Sequence, residues 1–197
     1  MWRGIQAAAR YRLGADSLKG LKVCVLGVGA VGMGVAELVH EEGGESVVAD
    51  INQEAVKEAV DRFGARAVSI DDALSADVDI FSPCALGGSI NAETIGDIKA
   101  KVVAGAANNQ LKTPDMDQAL TDRGILYAPD YVINAAGVIS VGLEILGRWT
   151  SDDLTRRIDA IGDTLTEIFK RGADADRPTG MIADAMAMEV ISRGKAA

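Results

Sequence analysis

Three glycines in the run Gly27-Val28-Gly29-Ala30-Val31-Gly32 have the types and spacing of a loop that cradles a diphosphate. Gly27 permits a tight turn out of a strand. Gly29 carries no β-carbon, so a pyrophosphate can approach its backbone. Gly32 lets the following helix pack near the sheet. The start of that helix offers unpaired amides and a positive dipole end to the phosphates. The same spacing also occurs in glycine-rich turns that bind nothing, so the flanking context has to carry the reading. Here a buried strand precedes Gly27, Gly32 lies inside the opening turn of a helix, and an acid, Asp50, ends the next strand 18 positions past Gly32. That is near the interval of roughly 20 expected of a dinucleotide fingerprint.

Asp50 bears on which dinucleotide. A carboxylate there accepts hydrogen bonds from both hydroxyls of the adenine ribose and repels a 2′-phosphate. The following Ile51-Asn52-Gln53 offers no arginine to hold such a phosphate, so NAD is expected rather than NADP. Ile51 is grouped with Asp50 among the cofactor-contacting residues.

These residues need a scaffold, and the hydropathy pattern supplies one. Strands are expected at Val23–Leu26, Ser46–Asp50, Ala67–Ile70 (the weakest), Asp79–Phe81, Lys101–Ala106 and Ile125–Ala128. Helices are expected at Val31–Glu41, Gln53–Phe63, Ala92–Lys99 and Pro114–Arg123, the last with Thr113 as its cap and Pro114 in its first position. Alternation of this kind builds a mainly parallel sheet with helices on both faces, a doubly wound α/β domain of the Rossmann type. After Asn134 the pattern turns helical. Ala135–Trp149 reads as one long apolar helix, and Ser151 caps another with Leu154, Ile158, Ile161, Leu165 and Ile168 along one stripe. Gly172–Pro178 reads as a linker and Met181–Ile191 as a final helix. Residues 2–13 form a further helix with no capping side chain ahead of it, as in a helix cut from a longer chain. Residues 1–20 are therefore read as the remnant of an interdomain helix, 21–150 as the dinucleotide-binding domain and 151–197 as C-terminal helices.

Of the 197 residues, 48% are hydrophobic and 25% charged, the balance of a globular protein. A net charge of -9 argues against nucleic acid, which requires clustered Lys and Arg. No apolar run approaches the roughly 20 residues of a membrane span, and the first residues lack the apolar core of a secretory signal. Cys24 and Cys84 are too few and too far apart for a disulfide framework or a zinc site. A cytoplasmic location with no metal, membrane or nucleic-acid partner is expected. The one histidine, His40, ends a helix beside Glu41 and Glu42 and reads as a solvated helix end.

Beyond the glycines, four segments occur in order: Asp50-Ile51-Asn52, Pro83-Cys84-Ala85-Leu86-Gly87-Gly88, Ala106-Ala107-Asn108-Asn109-Gln110-Leu111, and Ala128-Pro129-Asp130-Tyr131-Val132-Ile133-Asn134-Ala135-Ala136-Gly137. On these the chain resembles the cofactor domain of the Glu/Leu/Phe/Val dehydrogenase family, leucine dehydrogenases above all. The resemblance spans essentially the whole chain and is looser after Ser151. Ala136 departs from it, since leucine dehydrogenases usually carry glycine there.

The resemblance implies that Cys84 and Ala85 end the fourth strand, where backbone groups pass beside the cofactor's ribose. It implies that Asn108 contacts the nicotinamide ribose or the substrate's main-chain end, and that Asn134 lies against the nicotinamide carboxamide. Without the resemblance, each asparagine would read as a turn residue bonding its own backbone. Cys84 reads as a passive apolar neighbour rather than a reactive thiol. Val138 and Val141, three apart on a helix, are placed by the resemblance beside the substrate's side chain, suiting a branched-chain aliphatic amino acid. The implied reaction is oxidative deamination of an L-amino acid, with a lysine and an aspartate from a separate N-terminal substrate domain. The lysines here, at 19, 22, 57, 99, 101, 112, 170 and 195, do not lie in the glycine-rich setting of that catalytic lysine, and no catalytic residue is assigned. The expectation is thus the NAD-binding half of an amino-acid dehydrogenase, inactive alone. A non-catalytic dinucleotide-binding module keeps the same residues and is the alternative. A homo-oligomer is compatible with the resemblance, whose assembly surface involves the other half.

Overall fold

Val23 and Val25 point to one side of their strand, Cys24 and Leu26 to the other, and all four are buried. A strand covered on both faces belongs to a parallel sheet between helical layers, and this one is central. The computed structural model describes the backbone of residues 1–195 and side chains through residue 193. Six strands, β1 (Lys22–Leu26), β2 (Glu45–Ala49), β3 (Arg66–Ala67), β4 (Ile80–Pro83), β5 (Val102–Val103) and β6 (Leu126–Tyr127), form one sheet ordered β3-β2-β1-β4-β5-β6. Every neighbouring pair is parallel. β1 is flanked by β2 and β4, in registers such as Val25↔Val48 and Val25↔Ser82. The chain therefore reverses its direction of travel across the sheet between β1 and β4, which opens a crevice at the strands' C-terminal ends.

The helices are α1 (Trp2–Leu13), α2 (Ala30–Glu41), α3 (Gln53–Phe63), α4 (Ile70–Leu74), α5 (Asp115–Asp122), α6 (Asp130–Ile133), α7 (Ala136–Ile145), α8 (Ser151–Ala175) and α9 (Thr179–Lys195). Two apolar clusters sandwich the sheet. One joins Val23, Val25, Val48, Ile80 and Val102 to α1, α2, α3, α8 and α9. The other joins Cys24, Leu26, Val47, Phe81 and Val103 to α4 and α5. Period-two alternation in the strands thus feeds both cores. Full burial of side chains such as Ile80 and Phe81 stabilises the fold by about 1.5–3 kcal/mol each. α1 and α8 share the first core with the sheet. A β-carbon on Gly4 of α1 would stand 2.7 Å from Leu165 Cδ1 of α8, and one on Gly162 would stand 3.1 Å from the Arg3 carbonyl oxygen. Two small residues therefore set how closely these helices cross.

Several sequence expectations change. Ala92–Lys99 is not an α-helix. Only one 3₁₀ turn forms, at Ile95–Asp97, because Asn91 Oδ1 accepts the amides of Glu93 and Thr94, and Thr94 Oγ1 bonds Ser89 O. These local bonds compete with a helical ladder. Ala67–Ile70 is divided between β3 and α4, whose cap is Ser69. The strand expected over Lys101–Ala106 is regular only at Val102–Val103. Thr113 does not cap α5 by its side chain, and Pro114 occupies the cap position. The apolar stretch 135–149 is not one helix: α7 ends at Ile145, where the amides of Leu146 and Arg148 turn back to Gly142 and Leu143 and Gly147 takes φ 63°. Thr150, not Ser151, caps α8, its hydroxyl accepting the Asp153 amide. The supposed linker at 172–178 is helical through Ala175.

Candidate functional site

The loops after β1, β2, β4, β5 and β6 carry most of the residues singled out above, and the structure joins them into two groups. In the first, Gly27 leaves β1 with φ 98°, a region that L side chains avoid, and donates its amide to Ala49 O at 2.7 Å. A β-carbon on Gly27 would lie 2.7 Å from both the backbone nitrogen and the Cβ of Ala85, so the β1 and β4 loops touch here. A β-carbon on Gly32 would lie 1.9 Å from the Gly27 carbonyl oxygen, which leaves room for glycine alone. Gly29 differs: a β-carbon there meets nothing within 4 Å. Its side faces open space.

Gly29 is also the N-cap of α2, and no side chain caps that helix. Its first-turn residues, Ala30 and Val31, are exposed. A bare helix N-terminus beside an open glycine is a surface suited to an anion. Val28, almost completely buried, donates its amide to Asp50 Oδ2 at 2.7 Å, and Asn52 donates its amide to Asp50 Oδ1 at 2.8 Å. Asp50 is half-buried, whereas Ile51 is 86% exposed. Cys84 donates its amide to Leu26 O at 2.7 Å, and its sulfur lies 3.4 Å from Ser82 Oγ. Burial pushes the Cys84 thiol above its ordinary pKa, against the weaker effect of Ser82. The other thiol, Cys24, is pushed up to about 12 by burial. Neither thiol is disposed to ionise near neutrality.

The second group comes from the loops after β5 and β6. Asn134, at the C-cap of α6, donates its side-chain amide to Ala106 O at 3.0 Å and to Asn108 Oδ1 at 3.4 Å. The two asparagines thus meet although 26 residues separate them. Asn109 takes the left-handed conformation, φ 52°, in the bend between Asn108 and Gln110. Val138 and Val141 lie on α7, 73% and 53% exposed, and Ile145, Leu146 and Trp149 extend the same exposed apolar stretch.

Two polar residues in the quoted segments received no role from sequence. Gln110 is 0% exposed and Asp130 is buried, and they are linked by a 2.9 Å hydrogen bond from the Gln110 amide to Asp130 Oδ2. Only their place among motif residues marked them, because hydropathy patterning does not foresee a fully buried glutamine. Among the described residues no group of three or more His, Cys, Asp or Glu could hold a metal ion, and no helix is long and apolar enough to cross a membrane.

A parallel sheet in this order, with glycine loop, acid and asparagines gathered past its C-terminal strand ends, defines a Rossmann-type α/β protein. The family description "Glutamate/Leucine/Phenylalanine/Valine dehydrogenase" matches residues 48–196. The chain belongs to that family. Leucine dehydrogenase of Geobacillus stearothermophilus is 46% identical over 191 residues, which cover 97% of this chain and 52% of the relative. Valine dehydrogenase of Streptomyces albus is 40% identical over 199 residues, covering 100% of this chain and 54% of the relative. The crystal structure of L-tryptophan dehydrogenase from Nostoc punctiforme aligns with TM-score 0.95 and 38% identity, over 100% of this chain and 59% of that one. The chain spans about half the length of the curated relatives it matches.

Proposed function

We propose that the chain is the NAD-binding part of an amino-acid dehydrogenase that deaminates a branched-chain or other hydrophobic L-amino acid. The observation that carries this reading is the 2.7 Å bond between the Val28 amide and Asp50, which sets the glycine loop beside a carboxylate. The open side of Gly29 and the uncapped α2 supply the surface for a pyrophosphate, and Ala30 and Val31 contribute first-turn amides. Asp50 receives the adenine ribose, and Ile51 offers exposed apolar surface next to it. The dinucleotide, when bound, supplies the hydride acceptor. Cys84 and Ala85 line its path by their backbone. Asn134 spends its amide protons on Ala106 and Asn108, so its side-chain oxygen remains to accept a hydrogen bond from a carboxamide. Asn108 presents its exposed side chain to the nicotinamide ribose or the substrate. The proton-transferring groups of the reaction belong to a substrate domain outside this chain, as the relatives' greater length suggests.

The test is a fluorescence titration of the chain with NADH, alongside Gly29→Val. Saturable binding is expected in the parent chain. In Gly29→Val it should be lost with little change in melting temperature, because the added side chain enters only open space. Equal binding by both proteins would place the cofactor elsewhere.

A further inference from the structure

Gln110 is the point at which three of the strand-end loops are tied together. Its backbone amide donates to Asp130 Oδ2 at 2.9 Å, which reaches the loop after β6. Its carbonyl accepts the Ile90 amide at 3.1 Å, which reaches the loop after β4. Its side-chain Nε2 donates to Gly105 O at 2.8 Å and Ala107 O at 3.0 Å, closing the loop after β5 around itself. That loop carries Asn108. Asp130 opens the short helix α6, whose C-cap is Asn134, and Asn134 N bonds Asp130 O at 3.0 Å. Beside the direct bonds of the Asn134 side chain to Ala106 O and Asn108 Oδ1, a backbone route over Gln110 and Asp130 therefore joins the two asparagines. The Gln110 side-chain nitrogen thus ties two carbonyls of the loop that carries Asn108.

From this we infer that Gln110 is the positioning residue that holds Asn108 and Asn134 in register for the nicotinamide end of the dinucleotide, its side chain by fixing the loop that carries Asn108 and its backbone amide by its bond to Asp130 at the start of α6. Among the described residues it forms no hydrogen bond with either asparagine's side chain, and the loop after β1 at the adenine end is held instead by Asp50 and Ala49. The inference rests on the proposed NAD site.

Because the adenine and nicotinamide ends are held by different residues, they can be read separately. Calorimetric titration of the full chain with NADH and with ADP-ribose, which lacks the nicotinamide, gives both affinities for the parent, Gln110→Met, Asp130→Ala and Asp130→Asn. ADP-ribose affinity should stay within about twofold throughout. The advantage of NADH over ADP-ribose should fall roughly tenfold in Gln110→Met and Asp130→Ala, the scale of one positioned hydrogen bond, and persist in Asp130→Asn, which keeps an acceptor. Should Gln110→Met fail to fold, the two Asp130 variants decide. Loss of both ligands by one common factor, or no change in either, would overturn the positioning role. A parent chain that binds both ligands equally overturns it too but leaves the adenine site standing. A parent chain that binds neither overturns the NAD reading and this inference with it.

Discussion

Val28 and Asp50 are joined amide to carboxylate at 2.7 Å, across the gap between the first two strands' ends. The acid therefore both shapes the glycine loop and presents the adenine end of the proposed site. Asp50→Ala should cost about 1–3 kcal/mol of stability, since it leaves the buried Val28 amide unpaired. Asp50→Asn keeps one acceptor oxygen, for the buried Val28 amide, and leaves the exposed Asn52 amide to solvent; it should cost less than Asp50→Ala, yet lose the charge that repels a 2′-phosphate. Chemical denaturation of the two variants checks the first point. Equal destabilisation would show that one acceptor oxygen does not suffice to hold the loop.

Gly29 and Gly32 stand three residues apart and should respond oppositely to alanine. Gly32→Ala drives a methyl group to within 1.9 Å of the Gly27 oxygen and should destabilise by about 1–3 kcal/mol or more. Gly29→Ala meets open space at an ordinary φ of -67° and should leave the melting temperature nearly unchanged. Thermal melts of the two proteins distinguish these outcomes.

Asp117 gives the stability a pH dependence. Its Oδ2 accepts the Gly180 amide at 2.8 Å, anchoring α9 on α5, while Oδ1 is buried without a partner. Burial pushes its carboxyl above the usual carboxylate range, the hydrogen bond from Gly180 opposes that, and the nearby Asp184 adds to it. A carboxyl raised in the folded state binds its proton more tightly there than in the unfolded chain. Its stabilising contribution is full below the unfolded value and is lost as pH rises through the folded one. Urea midpoints should therefore fall more between about pH 4 and pH 7 in the parent chain than in Asp117→Asn. Parallel pH profiles for the two proteins would contradict this.

The sequence made the sheet and its edge loops legible because both are local. The continuous apolar run Val23–Leu26 announces a buried strand, and the glycine spacing announces the turn that follows. The family-like segments put Asn108 and Asn134 in the loops after β5 and β6, but pattern alone could not say that their side chains meet. Gln110 and Asp130 went unassigned because burial of polar side chains is decided by tertiary contacts. Gly172 was misread for a similar reason: a glycine resembles a linker until the Arg177 oxygen is found 3.1 Å from where its β-carbon would be. It lies in a helix and accommodates a close approach. The apolar run to Trp149 broke at Ile145 because Gly147 takes a left-handed conformation that hydropathy does not record.

The substrate class can be tested by joining the chain behind the substrate domain of a leucine dehydrogenase. Val138 and Val141 present exposed apolar surface on α7; once a substrate domain covers it, such a wall would suit an aliphatic side chain and leave a buried γ-carboxylate unpaired, a cost of several kcal/mol. The hybrid should reduce NAD with L-leucine or L-valine in preference to L-glutamate, while the chain alone should yield no NADH with any of them. A hybrid that prefers glutamate would show that these valines do not line the pocket.

The central claim, a site for NAD governed by Asp50, is most directly tested by calorimetric titration of the chain with NADH and with NADPH under one set of conditions. NADH should bind at one site per chain, at least about tenfold more tightly than NADPH, the scale of one unfavourable charge contact. Equal affinities, or tighter binding of NADPH, would contradict the role given to Asp50 and with it the assignment of the cofactor.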